Sequence, residues 1–180
     1  CISAADEKPK LCSNSNYSTA FVGQFIELDA QSQGKLNLAI KKNADLALIG
    51  ISNLTCLENL NLENTAISDL SALNRMTRLK KLYIGGTNVV NISVLKNMPR
   101  LELLMAPNVR ISNVSALEAL GCLDYLNLAG SKITDPTPLY GLKALTFLNL
   151  QDNPISVSDC ETLKTKLPRA AGVMCDLPSR

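Results

Sequence analysis

The 180-residue chain contains no histidine and no tryptophan. Without histidine neither a Ser–His nor a Cys–His nucleophile pair can be assembled. A zinc site would lack its nitrogen ligand, and no Cys-x-x-Cys pair offers the thiolate alternative. No apolar run approaches ~18 residues, so no membrane span is encoded. No glycine-rich phosphate loop precedes a helix, and Gly85-Gly86 stands alone at a strand-to-turn position. The net charge is +2 with both signs interspersed, which lacks the basic stripe of a nucleic-acid protein. Glu58, Glu63, Glu102, Asp124 and Asp152 are scattered among polar neighbours, with no paired acid and base. These absences point to a chain with no catalytic residues, cofactor or metal. No initial Met or signal peptide is visible, and a processed mature form and a trimmed segment both fit.

What the chain does have is a 22-residue repeat. Copies begin at Leu57, Leu79, Leu101, Leu123 and Leu145. A period of 20–29 residues around L-x-x-L-x-L is the leucine-rich-repeat signature. Numbered from its first Leu, each copy is apolar at positions 1, 4, 6, 11, 14, 17 and 20; in the second these are Leu79, Leu82, Ile84, Val89, Ile92, Leu95 and Met98. The period of two around position 4 predicts a strand. The period of three from position 11 predicts a 3₁₀-like segment on the convex side. Position 13 is Asp69, Asn91, Asn113 and Asp135, each two residues before Ser or Thr. These short acceptors are expected to bond the next turn's N–H groups. The sequons at Asn91 and Asn113 are therefore read as structural, beside two more at Asn16 and Asn53.

Counting back one period makes residues 35–56 a degenerate first copy, with Leu38, Ile40, Leu48, Ile51 and Leu54 at positions 4, 6, 14, 17 and 20. Residues 1–34 are expected to form an N-terminal cap. Its helix would carry Tyr17, Phe21, Val22, Phe25, Ile26 and Leu28. About six repeats fill 35–155, and 156–180 is a C-terminal cap. In that cap Ser158 and Glu161 are expected to form a capping box, with a helix ending before Pro168.

Six cysteines allow fifteen pairings. Cys56 and Cys122 both end a repeat and lie three periods apart. Strands stack at about 4.8 Å, which separates them by roughly 14 Å, whereas a disulfide needs Cα atoms within about 7 Å. These two are expected to be free, with Cys1–Cys12 and Cys160–Cys175 closing the caps. Such bridges imply an oxidising compartment: periplasm, cell surface or extracellular medium. Six reduced cysteines in a cytosolic protein are the alternative. A lipid anchor on Cys1, as on a mature bacterial lipoprotein, competes with the Cys1–Cys12 bridge.

The blocks, with L-x-x-L-x-L followed by I-x-D-L-x-x-L over Leu57 to Leu73, resemble the bacterial internalin-like class of 22-residue leucine-rich repeats. The resemblance covers residues 35 to about 155. It implies an α/β fold: a right-handed solenoid with a concave parallel sheet, convex 3₁₀ turns and helical caps at both ends. It also implies a protein ligand on the concave sheet. That family usually has Asn at position 9; here the residues are Asn43, Thr65, Thr87, Val109, Ser131 and Asn153. Val109 can make no such bond, and a local irregularity is expected there.

Side chains alternate along a strand, so positions 3 and 5 should face the concave side. Position 3 reads Asn37, Asn59, Lys81, Leu103, Tyr125, Phe147; position 5 reads Ala39, Asn61, Tyr83, Met105, Asn127, Asn149. Tyr83, Leu103, Met105, Tyr125 and Phe147 should form one diagonal apolar patch. With Asn127 and Asn149 they are the candidate partner-binding residues. The sequence thus points to a monomeric, extracytoplasmic, bacterial protein-binding module. It binds no nucleic acid. An intracellular scaffold similar to leucine-rich phosphatase regulators is the alternative, and a purely structural surface spacer is a third reading.

Overall fold

The computed structural model describes residues 57–170 and 172–175, the backbone of 26–27 and 35–38, and positions 52 and 55. Its core is one sheet of eight strands in sequence order. These are β1 (Ile26–Glu27), β2 (Lys35–Leu38), β3 (Asn59–Asn61), β4 (Lys81–Tyr83), β5 (Leu103–Met105), β6 (Tyr125–Asn127), β7 (Phe147–Asn149) and β8 (Gly172–Met174). From β2 onward every pairing is parallel.

The predicted strands and turns recur with the repeat. Leu60, Leu82, Leu104, Leu126 and Leu148, at position 4, are all fully buried. Buried side chains recur every three residues on the convex side, as Ile67, Leu70, Leu73 and Met76 in the first described repeat. Turns of 3₁₀ helix at Ser71–Arg75, Ser93–Asn97, Ser115–Ala119 and Thr137–Leu139 produce that spacing. A 3₁₀ helix has three residues per turn, so side chains at i and i+3 eclipse and line one face. The bonds Leu73 N–H to Leu70 O and Met76 N–H to Leu73 O, both 2.9 Å, step by three. At each turn's start, Asp69, Asn91, Asn113 and Asp135 accept the N–H two residues on, at 2.8–2.9 Å.

Position 8 carries a second device. Asn64, Gly86, Asn108, Gly130 and Asp152 all have φ between 56° and 68°. This left-handed geometry suits Gly, Asn and Asp and strains other residues. It turns the chain out of the strand while the ladder continues. Asn64, Gly86, Asn108 and Gly130 donate their N–H groups to the next repeat at 2.7–2.9 Å. Asn and Gly alternate because a Cβ at Gly86 would lie 2.6 Å from Asn64 Oδ1, and one at Gly130 would strike Asn108 in the same way.

The structure departs from the sequence expectations in several places. β2 pairs Lys35 with Asn59 and Leu36 with Leu60. Leu36 and Leu38 therefore hold positions 4 and 6, and Lys35 and Asn37, rather than Asn37 and Ala39, hold positions 3 and 5. The first interval is 24 residues, so counting back by 22 slipped the register by two. Ile26, expected in a helix, lies in β1, antiparallel to β2. Its helical spacing with Phe25 and Val22 carried less weight than the hydrogen-bonding edge that β2 offers. Residues 1–25 of the expected cap lie outside the described residues, as do Cys1, Cys12 and Cys56.

At the other end, α1 (Val157–Lys166) starts two residues before the expected box. Ser156, not Ser158, is the N-cap. Its Oγ accepts Asp159 N–H at 3.1 Å and donates to the Asp159 carboxylate. Glu161 instead pairs with Lys164 at 3.0 Å. The chain leaves the helix at Leu167, ahead of Pro168. Lys143 Nζ donates to Lys166 O at 2.6 Å, placing a cation at the negative helix end. Cys160 of α1 is bonded to Cys175, just after β8, with Cα atoms 6.2 Å apart. A loop of this size is worth about 3 kcal/mol in the chain-entropy account.

Cys122, expected to be free, is disulfide-bonded. Its partner lies outside the described residues. The three-repeat argument excluded only one pairing and gave no positive reason for a free thiol.

The turn at Val109 is regular, contrary to expectation. Asn108 has the same φ as its counterparts, and its N–H reaches Ala129 O at 2.7 Å. Val109 is buried beside the small Ala106 in the apolar core. The other repeats use polar groups at position 9. Thr65 and Thr87 donate to Leu62 O and Ile84 O at 2.7 Å. Asn153 donates to Leu128 O and Leu150 O at 2.8 and 3.0 Å and accepts Ile133 N–H at 3.0 Å, joining two repeats. Among the described residues, Ser131 Oγ is buried without a hydrogen-bond partner.

Candidate functional site

The sheet face opposite the core is built from positions 3 and 5. Cross-strand register places Lys81, Leu103, Tyr125, Phe147 and Gly172 in one row. Asn61, Tyr83, Met105, Asn127, Asn149 and Met174 form the other. Position-4 leucines on the same strands are buried, so alternation sends these side chains outward. The candidate residues Tyr83, Leu103, Met105, Tyr125 and Phe147 fall on adjacent rungs. All are half-buried, while Lys81 at the polar end is exposed.

Their proximity changes what they present. The Tyr125 and Phe147 rings stack with centroids 4.2 Å apart and planes 8° from parallel. The separation is close to the strand spacing, so the rings stand upright, face against face across the rungs. Each gives one face to its neighbour and offers its edge to an approaching surface. An aromatic pair of this kind adds about 0.5–1.5 kcal/mol beyond area burial. The pair is a rigid ridge rather than two independent side chains.

Asn127 and Asn149 have a local role as well. Their Oδ1 atoms accept the N–H groups of Ala129 and Gln151, both at 3.0 Å. Asn61 does the same for Glu63 at 2.9 Å. These asparagines fix the strand exit two residues downstream through their Oδ1 atoms. Where Tyr83 and Met105 replace Asn at position 5, no such bond is possible. The repeat forgoes a turn-stabilising contact there and sets an apolar side chain on the open face.

Charge is arranged along the strand entrances. Glu58 and Lys80 pair at 3.1 Å on adjacent rungs. Asp124 Oδ1 accepts Thr146 Oγ1–H at 2.6 Å. Among the described residues Asp135 and Tyr140 have displaced pKa values, both away from this face. Hydrogen bonds from the Thr137 hydroxyl and N–H hold Asp135 below the usual carboxylate range. Burial and the nearby Asp159 raise Tyr140. Among the described residues no cluster of three or more metal-ligating side chains occurs, and no helix is long and apolar enough to cross a membrane.

Gly172 and Met174 escaped the sequence reading. β8 follows a helix and breaks the 22-residue period, so no repeat position announces it. The signal available was a short Gly-Val-Met run just before Cys175.

No family model and no curated protein matches the chain. Solved structures do. Over 71% of this chain, internalin C2 of Listeria monocytogenes aligns at a TM-score of 0.67 with 29% identity. Internalin F of the same species gives the same three values. A leucine-rich-repeat protein of Leptospira interrogans shares the fold, with a TM-score of 0.63 and 24% identity over 72% of the chain. The aligned part spans 55%, 37% and 33% of those three chains respectively. The chain is an internalin-like leucine-rich-repeat solenoid.

Proposed function

We propose that this protein is a non-enzymatic, extracytoplasmic bacterial module that docks a protein partner on the C-terminal half of its concave sheet. One observation carries the reading. Tyr83, Leu103, Met105, Tyr125 and Phe147 lie side by side in rows where the fold requires no apolar group. A contiguous apolar patch marks an interaction surface, and aromatic and Met side chains suit its centre. The partner is a host surface protein, or a bacterial enzyme or toxin that the module restrains. The module acts as a monomer.

The disulfides at Cys160–Cys175 and at Cys122 support an oxidising compartment over an intracellular scaffold. Resemblance to internalins supports a bacterial source. The test is affinity capture from host and bacterial extracts with the oxidised protein, repeated with Tyr83→Ala and Tyr125→Ala. A partner retained by the wild type and lost by both variants supports the reading. A partner retained equally by all three overturns it.

A further inference from the structure

The aromatic ridge ends at a glycine. Phe147 pairs in register with Gly172 of β8. Among the described residues, a Cβ at Gly172 would meet only Phe147 Cδ2, at 4.0 Å. Gly172 lies in an extended strand, without the positive φ of Gly86 and Gly130. A strand glycine with no conformational duty often marks a place that a ligand approaches closely. Tyr125 covers one face of Phe147. Among the described residues, the other face looks out over Gly172.

The strand segments at this end carry acids and no bases. From the strand entrance to position 8, the last rungs (102–108, 124–130, 146–152 and 172–174) contain Glu102, Asp124 and Asp152 and no Lys or Arg. Asp124 is exposed. Its carboxylate is drawn toward β7 by the Thr146 hydroxyl. Glu102 and Asp124 stand on adjacent rungs, within about a Debye length of each other, so salt screens them only in part.

We propose that the face of Phe147 above Gly172 receives an arginine guanidinium presented by the protein partner, with Asp124, tied to the residue before Phe147 by the Thr146 hydroxyl, as a countercharge. The proposal rests on the reading of the concave sheet as the docking face. Arginine fits both features. Its planar, weakly hydrated guanidinium stacks on aromatic faces and keeps its charge. A lysine ammonium would meet the acids but is more strongly hydrated. An apolar side chain would meet the ring and ignore the acids.

The test uses the oxidised, ¹⁵N-labelled protein and three pentapeptides, Gly-Ser-Xaa-Ser-Gly, with Xaa as arginine, lysine or citrulline. Citrulline keeps the planar shape and loses the charge. The arginine peptide is expected to shift the Phe147, Gly172 and Val173 amides saturably, with lysine and citrulline giving less than a third of that shift. Gly172→Leu, which fills the shelf, should abolish the response, while unchanged Leu104 and Leu126 amides report an intact stack. Should Gly172→Leu disturb β8, Phe147→Leu decides, because it removes the π face at similar volume. No arginine-dependent shift at these amides, or an equal response to lysine or citrulline, overturns the proposal. If the arginine peptide fails while a captured partner still loses affinity on Tyr83→Ala, the arginine site falls and the docking face stands. If Tyr83→Ala and Tyr125→Ala both leave the partner bound, the docking face falls and takes this proposal with it.

Discussion

Position 8 of five successive repeats holds Asn64, Gly86, Asn108, Gly130 and Asp152, and all five adopt one left-handed conformation. Position 5, on the same stretches of chain, holds Asn61, Tyr83, Met105, Asn127 and Asn149: three asparagines, a tyrosine and a methionine. The turn side is constrained because its residues satisfy backbone groups of their own repeat and the next. The sheet face is less constrained: its position-5 asparagines each accept one local N–H, yet the strands with Tyr83 and Met105 in that place pair without such a bond. Variation at position 8 therefore stays within the few residues that tolerate positive φ. Variation at positions 3 and 5 is free to follow a ligand.

The contrast is most severely tested at Gly130. Gly130→Val puts a β-branched side chain at φ 68° and drives its Cβ into Asn108. The expected loss is about 3 kcal/mol of unfolding free energy, read from the urea midpoint, combining backbone strain with overpacking. Gly141→Ala is the control: a Cβ there meets nothing within 4 Å, and its midpoint should hardly move. Equal effects at both sites would mean that the turn side is not specially constrained.

On the open face the effect should fall on binding. Tyr125→Ala is expected to weaken a captured partner by about 2 kcal/mol, roughly thirtyfold. Its cost in stability should be about 1 kcal/mol, the share of the Phe147 stack. Truncating the buried Leu126 beside it should cost about 2–5 kcal/mol of stability. Lys96→Ala and Lys132→Ala, on exposed positions away from the sheet face, should leave affinity unchanged. Affinity by calorimetry beside melting temperature separates the two sides; a Tyr125→Ala protein that unfolds would erase the distinction.

Position 9 offers a change in the opposite direction. Ser131 Oγ is buried without a partner among the described residues, whereas Asn153 in the same slot bonds two repeats. Ser131→Asn should stabilise by about 1 kcal/mol, the net value of a typical hydrogen bond. Val109→Asn should stay within about 0.5 kcal/mol, since the bonds gained offset apolar packing lost beside Ala106. A large loss at Ser131→Asn in chemical denaturation would show that the slot is shaped for a small side chain.

The smallest effect concerns acid. Asp135 has a lowered pKa, caused first by the Thr137 hydroxyl and then by the Thr137 N–H. A depressed carboxylate contributes stability above its unfolded pKa that is lost as pH falls through the folded one. Asn91 and Asn113 make the same backbone bond without a titrating group. Asp135→Asn should therefore leave stability at pH 7 nearly unchanged and flatten the decline below about pH 4. An unaltered acid limb in parallel pH titrations of unfolding would remove Asp135 from that decline.

The repeat made the middle of the molecule legible in sequence. The buried rows, the 3₁₀ spacing, the acceptors at position 13 and the two outward rows from Asn59 to Asn149 all follow from local periodicity. Each depends on how one repeat satisfies its own backbone and buries its own leucines. What only the tertiary structure decided lies between rungs and at the ends. The upright Tyr125–Phe147 stack and the bare glycine beside it depend on which side chain a neighbouring repeat supplies. The first strand's register, the antiparallel β1, the Ser156 cap, β8 and the bonded state of Cys122 fall where the period stops or where the contact is distant in sequence. There the outcome is set by which hydrogen-bonding edge or sulfur the folded chain brings near, and no spacing of apolar residues encodes that choice.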